Sequence, residues 1–307
     1  MHCQEWRSKC EVIFFAKVPL APIGLAMRDA LRFTRLTRTA KKLFRNIGLE
    51  VRVVGGSEPA PGYPDIVHSQ IWPFATYSPW LTDREFNRVV EVIKENTLLD
   101  YYICYDLWEL IGQVAKLQSG DLIEIGTWRG GSGSLIAKRA ELEGIDAKVY
   151  LCDTFRGVVK ASALDPVYRG GEHADASVEA VRNLIHRLNL HNVEVLQGTF
   201  PDDTGKSLAD KTFRFCHIDV DVYRSAAEIV EWIWPRLCLG GLIVYDDYGF
   251  KGCEGVTRFV NEERGLPDRL IIHNLNGHAV AIKTPTVHNF SKTTTSSVEP
   301  LALAKAT

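Results

Sequence analysis

No two cysteines in this chain stand at C-x-x-C spacing, which removes the simplest zinc and dithiol sites. The seven thiols, at 3, 10, 104, 152, 216, 238 and 253, are odd in number and scattered. They read as reduced, buried side chains of a cytoplasmic protein rather than a disulfide framework. Long apolar runs are also missing. A membrane-spanning helix needs about 20 apolar residues, and the nearest stretch, 12–26, is interrupted by Lys17, Pro19, Pro22 and Gly24. Those prolines, with Glu5 and Glu11 ahead of them, make a poor secretory signal. Charge of one sign is lacking too. The 36 Lys and Arg against 38 Asp and Glu give a net charge of −2, so there is no general footprint for nucleic acid. No internal repeat is visible.

What is present is an ordinary globular composition, long enough for one large α/β domain with an N-terminal extension. Residues 1–64 read as a partly disordered basic arm and linker. Between 27 and 46, Arg28, Arg32, Arg35, Arg38, Lys41, Lys42 and Arg45 oppose a single acid, Asp29. Leu31, Phe33, Leu36, Leu43, Phe44 and Ile47 are interleaved, the pattern of a basic amphipathic helix. It suits a solvated arm or subunit contact, or peripheral docking on an anionic membrane. The Gly- and Pro-rich run 55–64 is the linker. Residues 65–118 are expected as a helical lid over the substrate region. There Thr82-Asp83-Arg84-Glu85 reads as a capping box ahead of Phe86, Val89, Val90 and Ile93 on one helix face. Leu107, Leu110, Ile111, Val114 and Leu117 mark the face of a second helix.

Residues 119–283 alternate strand and helix. Short apolar strands are expected at 122–125, 148–152, 193–196, 213–220 and 242–245, with helices near 134–142, 178–188 and 225–237. Continuous apolar strands between helices specify a doubly wound, mostly parallel sheet. After a helix at 256–263, strands 269–273 and 278–283 flank Asn276-Gly277, a hairpin-turn dipeptide. The result is a seven-stranded Rossmann-like α/β fold that closes on an antiparallel hairpin. The Ser/Thr/Ala-rich stretch 284–307 is expected as a disordered tail, and its sequon Asn289-Phe290-Ser291 is formal only.

Three strand ends carry chemistry. The loop 124–133, Glu-Ile-Gly-Thr-Trp-Arg-Gly-Gly-Ser-Gly, joins the first core strand to its helix. Its glycines admit a ligand to the backbone, and the helix N-terminus offers free N–H groups. The spacing is not G-x-G-x-x-G. Glu124 instead suits a ligand with positive charge, such as the ammonium and sulfonium of S-adenosylmethionine (SAM), unless the loop is a ligand-free tight turn. Asp153, in Cys152-Asp153-Thr154-Phe155, ends the second strand, where a carboxylate accepts both hydroxyls of a ribose or serves as a cap. His217-Ile218-Asp219-Val220-Asp221 and Tyr245-Asp246-Asp247-Tyr248 end two strands expected ~4.8 Å apart. Carboxylates so gathered repel unless a cation neutralises them, and an all-oxygen set favours Mg²⁺ or Ca²⁺. Helix capping is the alternative for single members. Thr204-Gly205-Lys206-Ser207 imitates the end of a P-loop, but Phe200 stands where that motif needs glycine. His217-x-Asp219 with His273 or His278 would imitate the triad of an Fe(II)/2-oxoglutarate hydroxylase, leaving the glycine loop and Asp246-Asp247 unexplained.

Together these stretches resemble the macrocin O-methyltransferase (TylF/MycF-like) family of class I SAM-dependent enzymes. The resemblance is carried by IEIGTWRGGSGS at 123–134, DTFRG at 153–157, IDVDVYRS at 218–225 and DDYGFKGCEGVT at 246–257. YSPWLTD at 77–83 and CYDLW at 104–108 extend it, so that it covers about 75–283. It implies SAM held by Glu124, Gly126, Thr127, Trp128, Gly130, Gly131 and Ser132, and by Asp153 with Thr154 and Phe155. The adenine would lie near Thr199 and Phe200. It further implies Mg²⁺ on Asp221, Asp246 and Asp247, with Asp219 shared between metal and cofactor. The acceptor would be a hydroxyl of a sugar or other polyol on a small molecule or glycan, and the enzyme an assembly of two or more copies. Asp221 is the expected proton acceptor; His217 and His278 are structural, or bases in its place. A catalytically silent scaffold is the other alternative, against which the intact loop and acid cluster argue together.

Overall fold

The computed structural model describes residues 58–69, 71 and 75–286. The expected basic helix at 27–46 and the tail beyond 286 lie outside these residues. A short hairpin, β1 (Glu58–Ala60) and β2 (Tyr63–His68), comes first. The chain divides into two compact units, 1–59 with 67–72 and 60–66 with 73–307. The helices and the main sheet all belong to the second unit, from residue 75 onward. Among the described residues no helix is long and apolar enough to cross a membrane.

Helix α1 (Arg84–Ile93) begins at Asp83, which accepts the Phe86 N–H at 2.9 Å through one oxygen and the Trp108 indole N–H at 2.9 Å through the other. The capping box would make Thr82 the cap. Thr82 instead closes the 3-10 turn Pro79–Leu81 and gives its hydroxyl to the Pro79 carbonyl. Asp83 takes the role because its second oxygen anchors the next helix. That helix, α2 (Tyr101–Val114), is capped by Asp100 and buries Leu107, Trp108, Ile111 and Val114; Leu117 lies past its end. Both helices share one core with Leu122, Leu135 and Leu151, so they are packed against the sheet's own helices.

The sheet comprises β3 (Asp121–Ile125), β4 (Val149–Asp153), β5 (Val193–Gln197), β6 (Phe213–Ile218), β7 (Leu237–Tyr245), β8 (Arg269–Asn274) and β9 (His278–Lys283). Their order is β5-β4-β3-β6-β7-β9-β8, and β9 alone runs against the rest, inserted between β7 and β8. Helices α3 (Gly131–Leu142), α4 (Val178–Arg187), α5 (Tyr223–Ile233) and α6 (Glu254–Glu263) connect the strands. Successive residues of β3 feed opposite cores, Leu122 one layer and Ile123 the other, as a sheet covered on both faces requires. β7 starts five residues earlier than its apolar run suggests. Its Gly240, at φ +77°, sits in a register shift against β6, so the glycine pair bulges the strand rather than ending it.

From β3 the chain winds outward through β4 and β5, then crosses to β6 and β7 on the other side. The crevice at the carboxyl ends of β3 and β6 is therefore the topological switch point, where such sheets bind ligands. Hydrogen bonds carry the ladder one step further. Asp219 N–H meets Ile125 O at 3.0 Å, Asp246 N–H meets Ile218 O at 3.0 Å, and Gly126 N–H meets Cys152 O at 2.9 Å. Gly126, Asp219 and Asp246 are thus brought level at one rim, next to the end of β4.

Candidate active site

A cavity of about 320 Å³ opens at this rim. Of the residues singled out in the sequence, Gly126, Thr127, Trp128, Ser132, Asp153, Thr154, Phe200, Asp219, Asp221, Asp246 and Asp247 line it. Glu124, Gly130, Gly131, Phe155 and Thr199 do not. Glu124 is fully buried beneath the loop, where it accepts the Thr127 hydroxyl at 2.5 Å and faces His217 Nδ1 at 2.9 Å. It meets the cavity's lining through Thr127 on one side and, by way of His217, toward Asp246 on the other. The glycines divide in the same way. A Cβ on Gly126 would fall 1.7 Å from Asp219 O, one on Gly131 2.5 Å from Asn96 O, and one on Gly133 2.4 Å from Glu124 Oε2. These glycines let protein approach protein, while within the loop residues 126–128 and Ser132 face the ligand space. Phe155 N–H donates to Asp153, and Thr199 N–H donates to Asp203.

Asp153 holds two turns at once. Its Oδ2 accepts Trp128 N–H at 2.7 Å and its Oδ1 accepts Phe155 N–H at 2.6 Å, with both donors in left-handed backbone at φ +46° and +52°. Such conformations are costly for large side chains and persist where the surroundings enforce them. Burial raises the Asp153 carboxyl, and the two N–H bonds oppose that rise. A carboxylate has about four acceptor sites, so Asp153 retains capacity toward the cavity it lines.

The acid cluster forms as its strand ends require. Ligand atoms of Asp219, Asp246 and Asp247 lie within 4.8 Å of one another, as do those of Asp221, Asp247 and Cys253. Asp247 Oδ2 accepts the N–H groups of Val220 at 3.1 Å and Asp221 at 2.8 Å, fixing the turn that carries Asp221 at φ +65°. Burial, then neighbouring carboxylates, pushes Asp219 and Asp247 well above the usual carboxylate range. Burial raises Asp221 as well, against the Tyr168 hydroxyl and His173, which favour its anion. Asp246 Oδ1 is buried and without a hydrogen-bond partner among the described residues. An orphaned acceptor within a set of oxygen donors fits a hard divalent cation such as Mg²⁺.

Four contributors were missed in the sequence. Tyr168 and His173 come from the long β4–α4 loop, Cys253 caps α6, and the α1–α2 connection 96–100 forms a wall. Loop length at the carboxyl edge of a strand was the available signal for the first two. The two candidate histidines take other places. His217 is fully buried between Glu124 and Asp246; burial opposes its charge, but those carboxylates prevail and lift it to about 9. His278 is buried 3.8 Å from Asp106, its affinity for protons lowered by burial. Neither histidine lines the cavity, and neither cation-sized group among the described residues contains one, so the iron triad does not form.

A doubly wound sheet with a glycine loop after its first core strand and an acid ending its second defines the Rossmann-like class I methyltransferase fold. The profile of the macrocin-O-methyltransferase (TylF) family matches residues 106–282, more than half of the chain, and the chain belongs to that family. It is 30% identical over 159 residues to an 8-demethyl-8-(2,3-dimethoxy-alpha-L-rhamnosyl)-tetracenomycin-C 4'-O-methyltransferase of Streptomyces olivaceus, covering 48% of this chain and 60% of that protein. It is 26% identical over 166 residues to the mycinamicin III 3''-O-methyltransferase of Micromonospora griseorubida, covering 50% and 64%. The matches thus span about three fifths of the length of these relatives. Among solved structures, the O-methyltransferase NovP superposes with a TM-score of 0.55 at 24% identity, over 62% of this chain and 83% of that one. The calicheamicin methyltransferase CalS11 gives 0.52 at 16% identity, over 68% and 95%. Both likenesses are of fold.

Proposed function

We propose that this chain is a SAM- and Mg²⁺-dependent O-methyltransferase acting on a hydroxyl of a sugar or other polyol, carried by a small molecule or glycan. The observation that carries the reading is that four carboxylates from two strand ends share one cavity with the glycine loop and Asp153. The sugar acceptor is supported by the relatives' names, a rhamnosyl-tetracenomycin and a mycinamicin methyltransferase. In this reading residues 119–283 carry the cofactor, and 65–118 flank the acceptor.

Bound SAM would supply an electrophilic methyl, its sulfur–carbon bond exchanged for an acceptor oxygen–carbon bond with a thioether and the acceptor's proton left over. Mg²⁺ on Asp221, Asp246 and Asp247, beside Asp219, would make the hydroxyl more acidic and fix its neighbours on a diol. The chain's own residues do the rest. Asp153 accepts the ribose hydroxyls, while Phe200 walls the nucleoside side of the cavity. Ser132, in the first turn of α3, offers a hydroxyl and a helix N-terminus to an anionic group. Leu98, Leu99, Ile103 and Phe250 supply an apolar wall that limits water. Asp221, which lines the cavity beside the cluster, takes the proton as general base. Holding both reactants in line supplies much of the rate.

The test is calorimetric titration of SAM with and without Mg²⁺, on the wild type and on Asp246→Ala. Micromolar binding by the wild type is expected. The variant should keep its metal-free SAM affinity within a few-fold, lose the cation and lose turnover. Absence of SAM binding in either condition, or full activity of the variant in chelator, would overturn the reading.

A further inference from the structure

A buried chain of four side chains runs beneath the cavity floor from the glycine loop to the acid cluster. The Thr127 hydroxyl donates to Glu124 Oε2 at 2.5 Å, Glu124 Oε1 faces His217 Nδ1 at 2.9 Å, and His217 Nε2 stands 3.6 Å from Asp246 Oδ1. Thr127 and Asp246 line the cavity, whereas Glu124 and His217 are 0% exposed and are register partners on β3 and β6. The first two joints are closed and the last is open. Both His217 Nε2 and Asp246 Oδ1 are buried without a hydrogen-bond partner among the described residues, facing each other just beyond bonding range. Buried polar atoms are rarely left so, and each such case calls for an explanation. A small rotation of Asp246 resolves it in either of two ways, toward the imidazole or toward a cation in the cavity.

We propose that His217 is a positioning residue through which occupancy of the glycine loop sets the Asp246 rotamer, so that SAM and the divalent cation bind cooperatively. The inference rests on the function proposed above. A ligand seated on 126–128 fixes Thr127, and Thr127 fixes the Glu124 carboxylate. Glu124 then fixes the plane and tautomer of the imidazole, which limits where Asp246 can turn. Each ligand orders the shared chain, and the second to arrive finds it ordered. Asp247 is held by other means, through the Val220 and Asp221 N–H groups on its Oδ2. Control therefore falls on Asp246. Linkage requires the same coupling factor in both directions, whichever ligand binds first.

Two substitutions open the chain on either side of the imidazole. His217→Asn keeps an amide near the Nδ1 position and loses its reach to Asp246, whereas His217→Gln keeps the reach and loses the contact with Glu124. Thr127→Val, nearly isosteric, opens the first joint without touching β6 and serves if the β6 variants melt early. SAM affinity is measured by calorimetry for each protein without cation and at saturating Mg²⁺. For the wild type, Mg²⁺ is expected to tighten SAM binding by about 5- to 20-fold, within the usual range of site–site coupling. In the variants the ratio should fall to about twofold or less. A wild type that binds SAM and Mg²⁺ with a ratio near one would refute the coupling and leave the proposed function standing. Absence of SAM binding would remove both. A wild-type ratio preserved in Thr127→Val and the His217 variants would show that the coupling bypasses this chain, and would overturn the role given to His217.

Discussion

Gly126→Ala tests whether the strand ends at the switch point are as rigidly apposed as the ladder implies. Gly126 has φ +89°, and a Cβ there would fall 1.7 Å from the Asp219 carbonyl oxygen and 2.7 Å from its carbonyl carbon. Non-bonded carbon atoms sit at about 3.5 Å or more, so the ends of β3 and β6 would have to part by more than an ångström. Parting them breaks or stretches Asp219 N–H to Ile125 O, and displacing the Gly126 backbone to make room also distorts Gly126 N–H to Cys152 O on the β4 side. Two backbone hydrogen bonds contribute about 1 kcal/mol each, and a left-handed alanine adds roughly 1–2 kcal/mol, for a loss of about 3–4 kcal/mol. In a chain of this size that lowers Tm by roughly 6–16 °C. Gly144→Ala is the control: its φ is +68° but nothing lies within 4 Å of its Cβ position, so only the conformational part applies. Scanning calorimetry of both variants separates overlap from backbone strain. If Gly126→Ala costs no more than Gly144→Ala, the strand ends yield freely and the geometry of the acid cluster is not fixed by register.

Other consequences arise from the same contacts. In the metal-free protein Asp219 and Asp247 are raised by burial and by neighbouring carboxylates; against burial, His217 is raised to about 9 by Asp246 and Glu124. Groups raised on folding stabilise fully below their unfolded values and lose that contribution as pH climbs through the folded ones. Tm without cation should therefore fall from about pH 7 to about pH 9.5, and Mg²⁺ should raise Tm more at the upper end; a flat or rising profile would contradict the burial of these groups. Asp153→Asn replaces one acceptor by a donor opposite a buried N–H of Trp128 or Phe155, costing about 1–3 kcal/mol. Its SAM affinity, read by calorimetry, should drop at least about 10-fold. Arg269→Met strands the Glu263 carboxylate, whose partner side chain is only 6% exposed, and should cost about 3–5 kcal/mol by denaturant melting. Adding Glu263→Gln should recover part of that loss.

The sheet was legible because most of its strands are short apolar runs, three of them closed or followed by an acid, and Asn276-Gly277 named the hairpin. The insertion of β9 between β7 and β8 was not legible, since pairing of distant strands leaves no mark in local pattern. Asp153 closes its strand, and Asp219 and the Asp246-Asp247 pair directly follow theirs, where the backbone must deliver them to the rim. Glu124 was misplaced by the same logic applied one residue too early. The strand ends at Ile125, so period-two alternation turns Glu124 inward beside Leu122, toward α3. His217 does the same on β6, beside Phe215. Two buried polar residues at matched positions must satisfy each other if their strands are neighbours. That rule would have paired them without coordinates, once β3 and β6 were known to be adjacent.

The electrostatics of the rim argue that its carboxylates are arranged for an occupant rather than for the empty fold. Asp247 is buried and Asp219 half-buried among acids that raise them, and the acceptor Oδ1 of Asp246 is left unmatched. A stretch selected for stability alone would replace at least one of these aspartates with a neutral or apolar residue. Each is instead held by backbone: Asp219 and Asp246 by ladder bonds, and Asp247 by two N–H groups of the β6–α5 turn. Protons can quiet such a cluster, but only by occupying the acceptors that a polyol or cation would need. A divalent cation would quiet it at neutral pH without protonating those acceptors. The neighbouring glycine loop and Asp153 would then set where a second ligand sits to meet it.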